Sequence, residues 1–362
     1  MAYSALVTVL FALGVLPSVA EGDQPVSYCE AKNLLVYGGL GFRGWFDSPY
    51  SSKIVCRALG ASRERLLWQG KSPIRSVRVS SKGLVAFRQR TMVKSKTSED
   101  IHDLVKVIDL DGKEIRLFPR ACGFLWSPDG RYMLYVTGCY SDTMGLLDCD
   151  PDGVWLWDTE TNETKKIIGH GYRFDWARFD GNVYVEDSTE DRGSRFVRCY
   201  DPRTGEVRDT KFQSVGFSPD GRFSVESGGE GGFNLYETSS GREITGTSDS
   251  PFPPVVEEAM TFGYWYDNDT LVGYLPFRYR LSTQWYYLYN IRSGEVRRCP
   301  DYIVSATGPK KGELVVMRQK ADETLFTTVR FSDLAIVSVE VLKNDIEENR
   351  RLLRQDSESV SR

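Results

Sequence analysis

Trp126-Ser127-Pro128-Asp129-Gly130-Arg131-Tyr132 returns later in the chain as Phe217-Ser218-Pro219-Asp220-Gly221-Arg222-Phe223. Apolar residues precede each copy, and apolar residues alternate with polar ones after it. This is the chemistry of a tight hairpin. Serine accepts hydrogen bonds at the first turn position, proline presets φ at the second, and aspartate bonds to nearby backbone. Glycine then takes the left-handed position that closes the strand pair. Looser copies stand at Ser80-Ser81-Lys82-Gly83, Phe179-Asp180-Gly181, Asp267-Asn268-Asp269 and Gly308-Pro309-Lys310-Lys311-Gly312.

A second turn signature alternates with the first. Trp157-Asp158-Thr159-Glu160-Thr161-Asn162-Glu163 matches Tyr200-Asp201-Pro202-Arg203-Thr204-Gly205-Glu206. Ile108-Asp109-Leu110-Asp111-Gly112, Tyr236-Glu237-Thr238-Ser239-Ser240-Gly241 and Tyr289-Asn290-Ile291-Arg292-Ser293-Gly294 fit as well. Each ends a strand, turns through Gly or Asn, and starts another. An early turn, a middle loop and a late turn repeat every forty to fifty residues or so, the period of a four-stranded propeller blade. Units fall near 71–120, 121–170, 171–211, 212–250, 251–300 and 301–342. Residues 25–70 supply a degenerate seventh, with strands at Leu34–Tyr37 and Ile54–Leu59. The expected fold is all-β: a β-propeller of seven four-stranded blades over 21–342. Six blades plus an N-terminal extension is the alternative. A two-sheet sandwich does not require the paired turn signatures.

Composition bounds what such a fold could do. The 362 residues carry a formal net charge of −4, which argues against a general nucleic-acid binder. His102 and His170 are the only histidines, so a histidine-rich metal centre is excluded and a Ser-His-Asp triad has two possible bases. The nucleophile motif G-x-S-x-G is absent.

Residues 1–20 read as a signal peptide. The apolar run Ala5–Leu16 is short for a membrane span, Pro17 breaks it, and Ser18-Val19-Ala20 supplies small residues before a cleavage point. No Lys or Arg precedes the run. The expected location is secreted or periplasmic, with no membrane span after signal removal. Residues 343–362 form a charged tail, expected as a short helix or disordered. Seven cysteines follow the signal, an odd number, so at least one is free or bonded to another molecule. Cys139–Cys149 would close a hairpin and Cys29–Cys56 could pin the N-terminal segment, while buried free thiols remain the other reading.

Ser-Pro-Asp-Gly-Arg-Tyr/Phe followed by Trp/Tyr-Asp and Thr-Gly-Glu resembles the WD-like repeats of TolB-type exported propellers. The resemblance is sharpest around Ser127 and Ser218 and implies the propeller fold, export and a tendency to bind proteins. It departs from TolB in having no separate domain ahead of the blades, so TolB's own role is not implied. Similar propellers precede the catalytic domain of prolyl oligopeptidase-like hydrolases; no such domain is expected here.

Three segments carry candidate chemistry. Asp148-Cys149-Asp150-Pro151-Asp152-Gly153 matches D-x-D-x-D-G, whose spaced carboxylates can wrap a calcium ion. The twelfth-position Glu is replaced by Thr159 and the ninth position is Leu156, so an acidic turn is the competing reading. Asp175, Asp180, Glu186, Asp187, Glu190 and Asp191 offer carboxylates for a glycosidase-like pair, with nothing to select one. Asn162 and Asn268 head glycosylation sequons. Finally, the middle loops around Thr91–Asp103, Gly138–Asp152 and Pro276–Gln284 are long, and long loops on rigid scaffolds carry recognition. Phe277, Arg278, Tyr279 and Arg280 belong to residue types that dominate binding hot spots. The functional expectation is an exported binding module for a protein or polysaccharide partner. The alternatives are a carbohydrate-active hydrolase or lyase and a calcium-stabilised structural module.

Overall fold

The computed structural model describes residues 26–38, 51–61, 63–94, 99–141, 147–169, 173–188, 195–212, 214–227, 233–245, 261–275, 285–298, 302–305, 312–319 and 323–343. Within them lie seven four-stranded antiparallel blades, and the chain is a seven-bladed β-propeller. Blade 1 comprises β1 (Val26–Cys29), β2 (Leu34–Gly38), β3 (Ser51–Ala58) and the first part of β4 (Arg65–Val79). The rest of β4 opens blade 2, followed by β5 (Val85–Lys94), β6 (Glu99–Ile108) and β7 (Glu114–Pro119). One uninterrupted strand thus serves two blades, pairing Ile54↔Trp68 with β3 and Val77↔Phe87 with β5. Blade 3 is β8 (Ala121–Trp126), β9 (Tyr132–Ser141), β10 (Leu147–Asp158) and β11 (Thr164–Ile168).

Blade 4 is β12 (Arg173–Trp176), β13 (Val183–Ser188), β14 (Arg195–Tyr200) and β15 (Val207–Asp209). Blade 5 is β16 (Gly216–Phe217), β17 (Phe223–Ser227), β18 (Phe233–Glu237) and β19 (Arg242–Glu243). Blade 6 is β20 (Thr261–Trp265), β21 (Thr270–Leu275), β22 (Trp285–Asn290) and β23 (Val296–Arg298). Blade 7 is β24 (Tyr302–Ser305), β25 (Glu313–Gln319), β26 (Glu323–Arg330) and β27 (Ile336–Lys343). These limits match the units read from the turns, and the N-terminal segment is a full blade. The signal-like residues 1–20 and the tail beyond Lys343 lie outside the described residues.

The repeated turns are wired alike. Tyr132 N–H donates to Ser127 Oγ at 2.9 Å, Ser127 Oγ–H donates to Asp129 at 2.6 Å, and Arg131 N–H donates to the same Asp129 oxygen at 3.0 Å. In blade 5 the counterparts are Phe223 to Ser218 at 3.0 Å, Ser218 to Asp220 at 2.8 Å, and Arg222 to Asp220 at 3.1 Å. Gly130 and Gly221 sit at φ 70° and 73°, where a side chain is strained. Space excludes one as well. A Cβ on Gly130 would lie 2.7 Å from Ser81 Oγ, and one on Gly221 would lie 2.6 Å from the Phe179 ring. In both cases the neighbour is the early turn of the preceding blade.

The chain packs as two units, described separately: one within 170–300, holding blades 4–6, and one within 23–169 and 301–362, holding blades 1–3 and 7. In the second unit, Val36, Ile54, Val77, Phe87 and Ile108 fill the space between blades 1 and 2. Val107, Phe118, Trp126, Met133 and Trp157 do so between blades 2 and 3. Tyr28, Leu35 and Tyr37 of blade 1 pack on Val315 and Phe326 of blade 7. In the first unit, Tyr184, Val197 and Cys199 meet Val215 and Phe217, while Val225 and Leu235 meet Trp265, Leu271 and Tyr289. Each blade alone would expose these side chains, and burying one is worth about 1.5–3 kcal/mol.

Cys29, Cys56 and Cys199 are buried free thiols, which corrects the expected Cys29–Cys56 bridge. Cys29 is on β1 and Cys56 on β3, with β2 hydrogen-bonded between them. Two strand spacings, about 9.5 Å, exceed the reach of a disulfide. Cys29 instead donates its thiol hydrogen to the Ser80 carbonyl at 3.4 Å.

Candidate functional site: the strand arms of blades 2 and 3

The middle loops of blades 2 and 3 are mostly strand. β5 and β6 stay in register from Val85↔Ile108 to Lys94↔Glu99, and residues 95–98 between them lie outside the described residues. β9 and β10 pair from Tyr132↔Asp158 to Ser141↔Leu147, leaving residues 142–146. The corresponding strands of blade 4, β13 and β14, have 6 residues each, against 10 in β5 and in β6. At about 3.3 Å per residue, four further rungs lengthen a ribbon by about 13 Å. Thr91, Val93 and Ile101 suit strands, which is why polar stretches read as loops are ribbons instead.

The two arms touch. His102 of β6 pairs with Tyr140 of β9, joining the ribbons into one sheet. Arg88 and Asp103, both nearly buried, stand 3.8 Å apart at the base of the blade 2 arm. Gln89 Nε2 donates to the Ser72 carbonyl at 3.2 Å, tying β5 to β4. The charge on the blade 3 arm is of one sign: residues 138–152 include Asp142, Asp148, Asp150 and Asp152 and no Lys or Arg.

Asp148, Asp150 and Asp152 lie along β10, and the register breaks between Cys149 and Gly153. Gly153 is required by this bulge, at φ 124°, because a Cβ there would lie 2.4 Å from the Ile168 carbonyl oxygen. The side chains of the three aspartates lie outside what is described. Among the described residues, no three His, Cys, Asp or Glu side chains gather as a metal site. Phe277, Arg278, Tyr279 and Arg280 lie outside the described residues.

The blade 4 carboxylates are dispersed. Asp180 accepts from the Tyr184 hydroxyl at 2.8 Å and from the Asn182 amide at 2.9 Å, so it shapes the early turn. Burial first, then this hydrogen bond, pushes the Tyr184 phenol well above its ordinary range. Glu186 and Asp187 are buried and consecutive on β13, which points them to opposite faces of the sheet. Asp187 pairs with Arg198 at 2.8 Å, and Arg198 also reaches Asp209 at 3.1 Å. Ser214 Oγ lies 3.5 Å from Glu186 and donates to the Val225 carbonyl at 2.6 Å. Glu190 and Asp191 are outside the described residues. The sequon residue Asn162 has a turn role: it sits at φ 59°, and its side-chain oxygen accepts from Arg116 at 2.6 Å and from the Trp157 indole at 3.1 Å.

A cavity of about 510 Å³ opens between blades 1 and 7, lined by Arg57, Gly60, Thr328, Ser338, Val339 and Glu340 among others. Its charges are matched internally. Arg57 pairs with Glu340, whose second oxygen accepts from Gly60 N–H at 2.6 Å. Sequence reasoning missed both this pair and the arm-to-arm bridge, since no local signal marks either.

No protein-family model matches the sequence, and no curated protein matches it. Solved structures do match in fold. An acylaminoacyl peptidase from Pyrococcus horikoshii aligns with a TM-score of 0.51 at 14% identity, over 88% of this chain and 54% of that one, so the chain spans about half its length. The β-propeller domain of the Trilobed protease from Pyrococcus furiosus, described as having an open velcro topology, aligns with a TM-score of 0.46 at 15% identity, covering 86% of this chain and 90% of that one. Oligogalacturonate lyase from Vibrio parahaemolyticus aligns at 0.49 and 12% identity, over 76% and 79%. The likeness to the acylaminoacyl peptidase is one of fold.

Proposed function

We propose that this propeller is an exported binding module that recognises a protein or polymeric partner through its inter-strand arms. The observation that carries the reading is the joined pair of ribbons in blades 2 and 3, bridged at His102↔Tyr140. Elongated paired strands form a pre-organised surface, so little conformational entropy is lost when a partner docks along them. The aspartate-only charge of residues 138–152 favours a partner that presents lysine or arginine, and complementary charge sets encounter rate and specificity. Phe277, Arg278, Tyr279 and Arg280 are a second proposed contact, on the middle loop of blade 6. The signal-like first 20 residues support export.

The test is affinity capture from native extract with three proteins, each shown to be folded by circular dichroism. They are the wild type, an Asp148→Asn/Asp150→Asn/Asp152→Asn variant and an Arg278→Ala/Tyr279→Ala/Arg280→Ala variant. A partner held by the wild type, released by raised salt and lost by the aspartate variant supports the arm. Loss only in the second variant moves the site to blade 6. A partner kept equally by all three removes both sites, and no partner for any protein removes the binding reading.

A further inference from the structure

Seven cysteines follow the signal-like segment, three of them buried free thiols in the blades. Two of the remaining four are brought together by the sheet. Cys139 of β9 and Cys149 of β10 are direct register partners. Directly opposed residues of an antiparallel pair have Cα atoms about 4.5–5.5 Å apart, in either type of position. Disulfides span Cα separations of about 4.4–6.8 Å, so the backbone is set for a bridge with no rearrangement. Sequence spacing marks the two as able to close a hairpin, and the register makes the opposition direct. Cys139 and Cys149 become opposed because β9 and β10 pair in this register, up to Ser141↔Leu147.

We propose that Cys139 and Cys149 form a cross-strand disulfide that staples the outer part of the blade 3 arm. Its place has a mechanical meaning. The bond would lie immediately before the irregularity between Cys149 and Gly153, where the ladder of hydrogen bonds is broken and the ribbon is easiest to pull apart. It would also lie one residue from Tyr140, the position that joins this arm to the arm of blade 2. Formation removes two protons and two electrons from the thiols, and a small-molecule disulfide such as oxidised glutathione takes them up, becoming two thiols. Asp148 and Asp150 flank Cys149 in sequence. Their charge repels an attacking thiolate, which makes the bridge a lasting one rather than a rapidly exchanging one. The bond rests on the export reading in one respect, since disulfides persist in oxidising compartments and not in the cytosol.

Trypsin provides a direct readout. Residues 132–165 form one tryptic peptide whose only cysteines are Cys139 and Cys149, while Cys122 falls in the adjacent peptide 121–131. Full-length protein from its native compartment is denatured, alkylated without reductant, digested and weighed, with a reduced sample in parallel. The expected 132–165 peptide carries no alkyl group, is lighter by two hydrogens than the dithiol, and gains two alkyl groups after reduction. In a Cys139→Ser variant, Cys149 should become alkylatable without reductant. Full alkylation of both cysteines in native protein, and again after reduced protein is incubated folded with oxidised glutathione, overturns the proposal. So does a mixed peptide joining 121–131 to 132–165. A bridge that forms only after added glutathione supports the pairing and counts against export. None of these readouts depends on capturing a partner, so the binding reading can fail without touching this one.

Discussion

Arg57 of the first blade and Glu340 of the last form an ion pair across 283 positions of sequence, with side chains only 10% and 13% exposed. Among the described residues no strand is shared between these two blades; β1 pairs β2 and β26 pairs β27 within their own sheets. Their junction therefore rests on side chains. Tyr28, Leu35, Tyr37, Val315 and Phe326 supply the apolar part, and the ion pair supplies the directional part. Removing one partner strands a charge in a poorly hydrated site. Glu340→Ala and Arg57→Ala should each lower stability by about 2 kcal/mol, and the double variant should cost clearly less than their sum. Urea unfolding of the four proteins reads this directly; additive losses would mean the pair contributes no coupling.

Trp126 and Trp265 use one device in two places. Each closes the first strand of its blade, and each indole N–H donates to a backbone carbonyl of the preceding blade, Arg78 at 3.3 Å and Gly216 at 2.9 Å. Phenylalanine keeps most of the apolar contact and removes the donor. Trp126→Phe and Trp265→Phe should each cost about 1 kcal/mol, the contribution of one hydrogen bond. The shorter bond, at Trp265, should give the larger loss in thermal melts.

Acid should loosen the early turns. Burial pulls the Asp129 and Asp220 carboxyls upward, but hydrogen bonds outweigh it and hold both below the ordinary carboxylate value. Ser127 and the Arg131 amide act on Asp129, and Arg222, Ser218 and the Arg222 amide on Asp220. A depressed folded pKa gives stability that is complete above the unfolded value, near 3.9, and is lost as pH falls through the folded one. Unfolding midpoints of the wild type should fall below about pH 4. An Asp129→Asn/Asp220→Asn variant should be weaker at neutral pH yet show a shallower acid slope. Equal slopes would place the acid-sensitive groups elsewhere.

Leu334 occupies the late-turn position of blade 7 at φ 55°, where Gly112, Gly205, Gly241 and Gly294 serve blades 2, 4, 5 and 6 at φ 70–83° and Asn162 serves blade 3 at φ 59°. A leucine there carries backbone strain that glycine does not. Leu334→Gly should raise stability by about 0.5–1 kcal/mol, less the extra chain entropy glycine adds to the unfolded state. Gly221→Ala should do the reverse and cost about 1–3 kcal/mol, because its Cβ would meet both an unfavourable φ and the Phe179 ring. Calorimetric melts of the two variants should move in opposite directions.

The blades were legible because their turn chemistry is local. Ser127, Asp129, Gly130 and Tyr132 complete their hydrogen bonds within six residues, so the same short string produces the same hairpin wherever it occurs, and its recurrence marks the repeat unit. Residues 25–70 are the least regular unit in sequence, with signals only for the strands at Leu34–Tyr37 and Ile54–Leu59. Val26–Cys29 is too short to show a period, and Arg65–Val79 runs on into the next blade.

Long-range pairing decided the rest. Nothing near His102 announces Tyr140, nothing near Arg57 announces Glu340, and the segments read as long loops became ribbons once their strands found a register. Cys139 faces Cys149 for the same reason. A local turn is determined by its own φ/ψ preferences and side-chain acceptors. A contact between distant segments exists only after the intervening chain has paid its closure entropy and the blades have packed. So the sequence by itself determined the repeat unit, its turns and a hairpin able to bring Cys139 toward Cys149, while tertiary structure decided that residues 25–70 complete a seventh blade, which arms join and which charges meet.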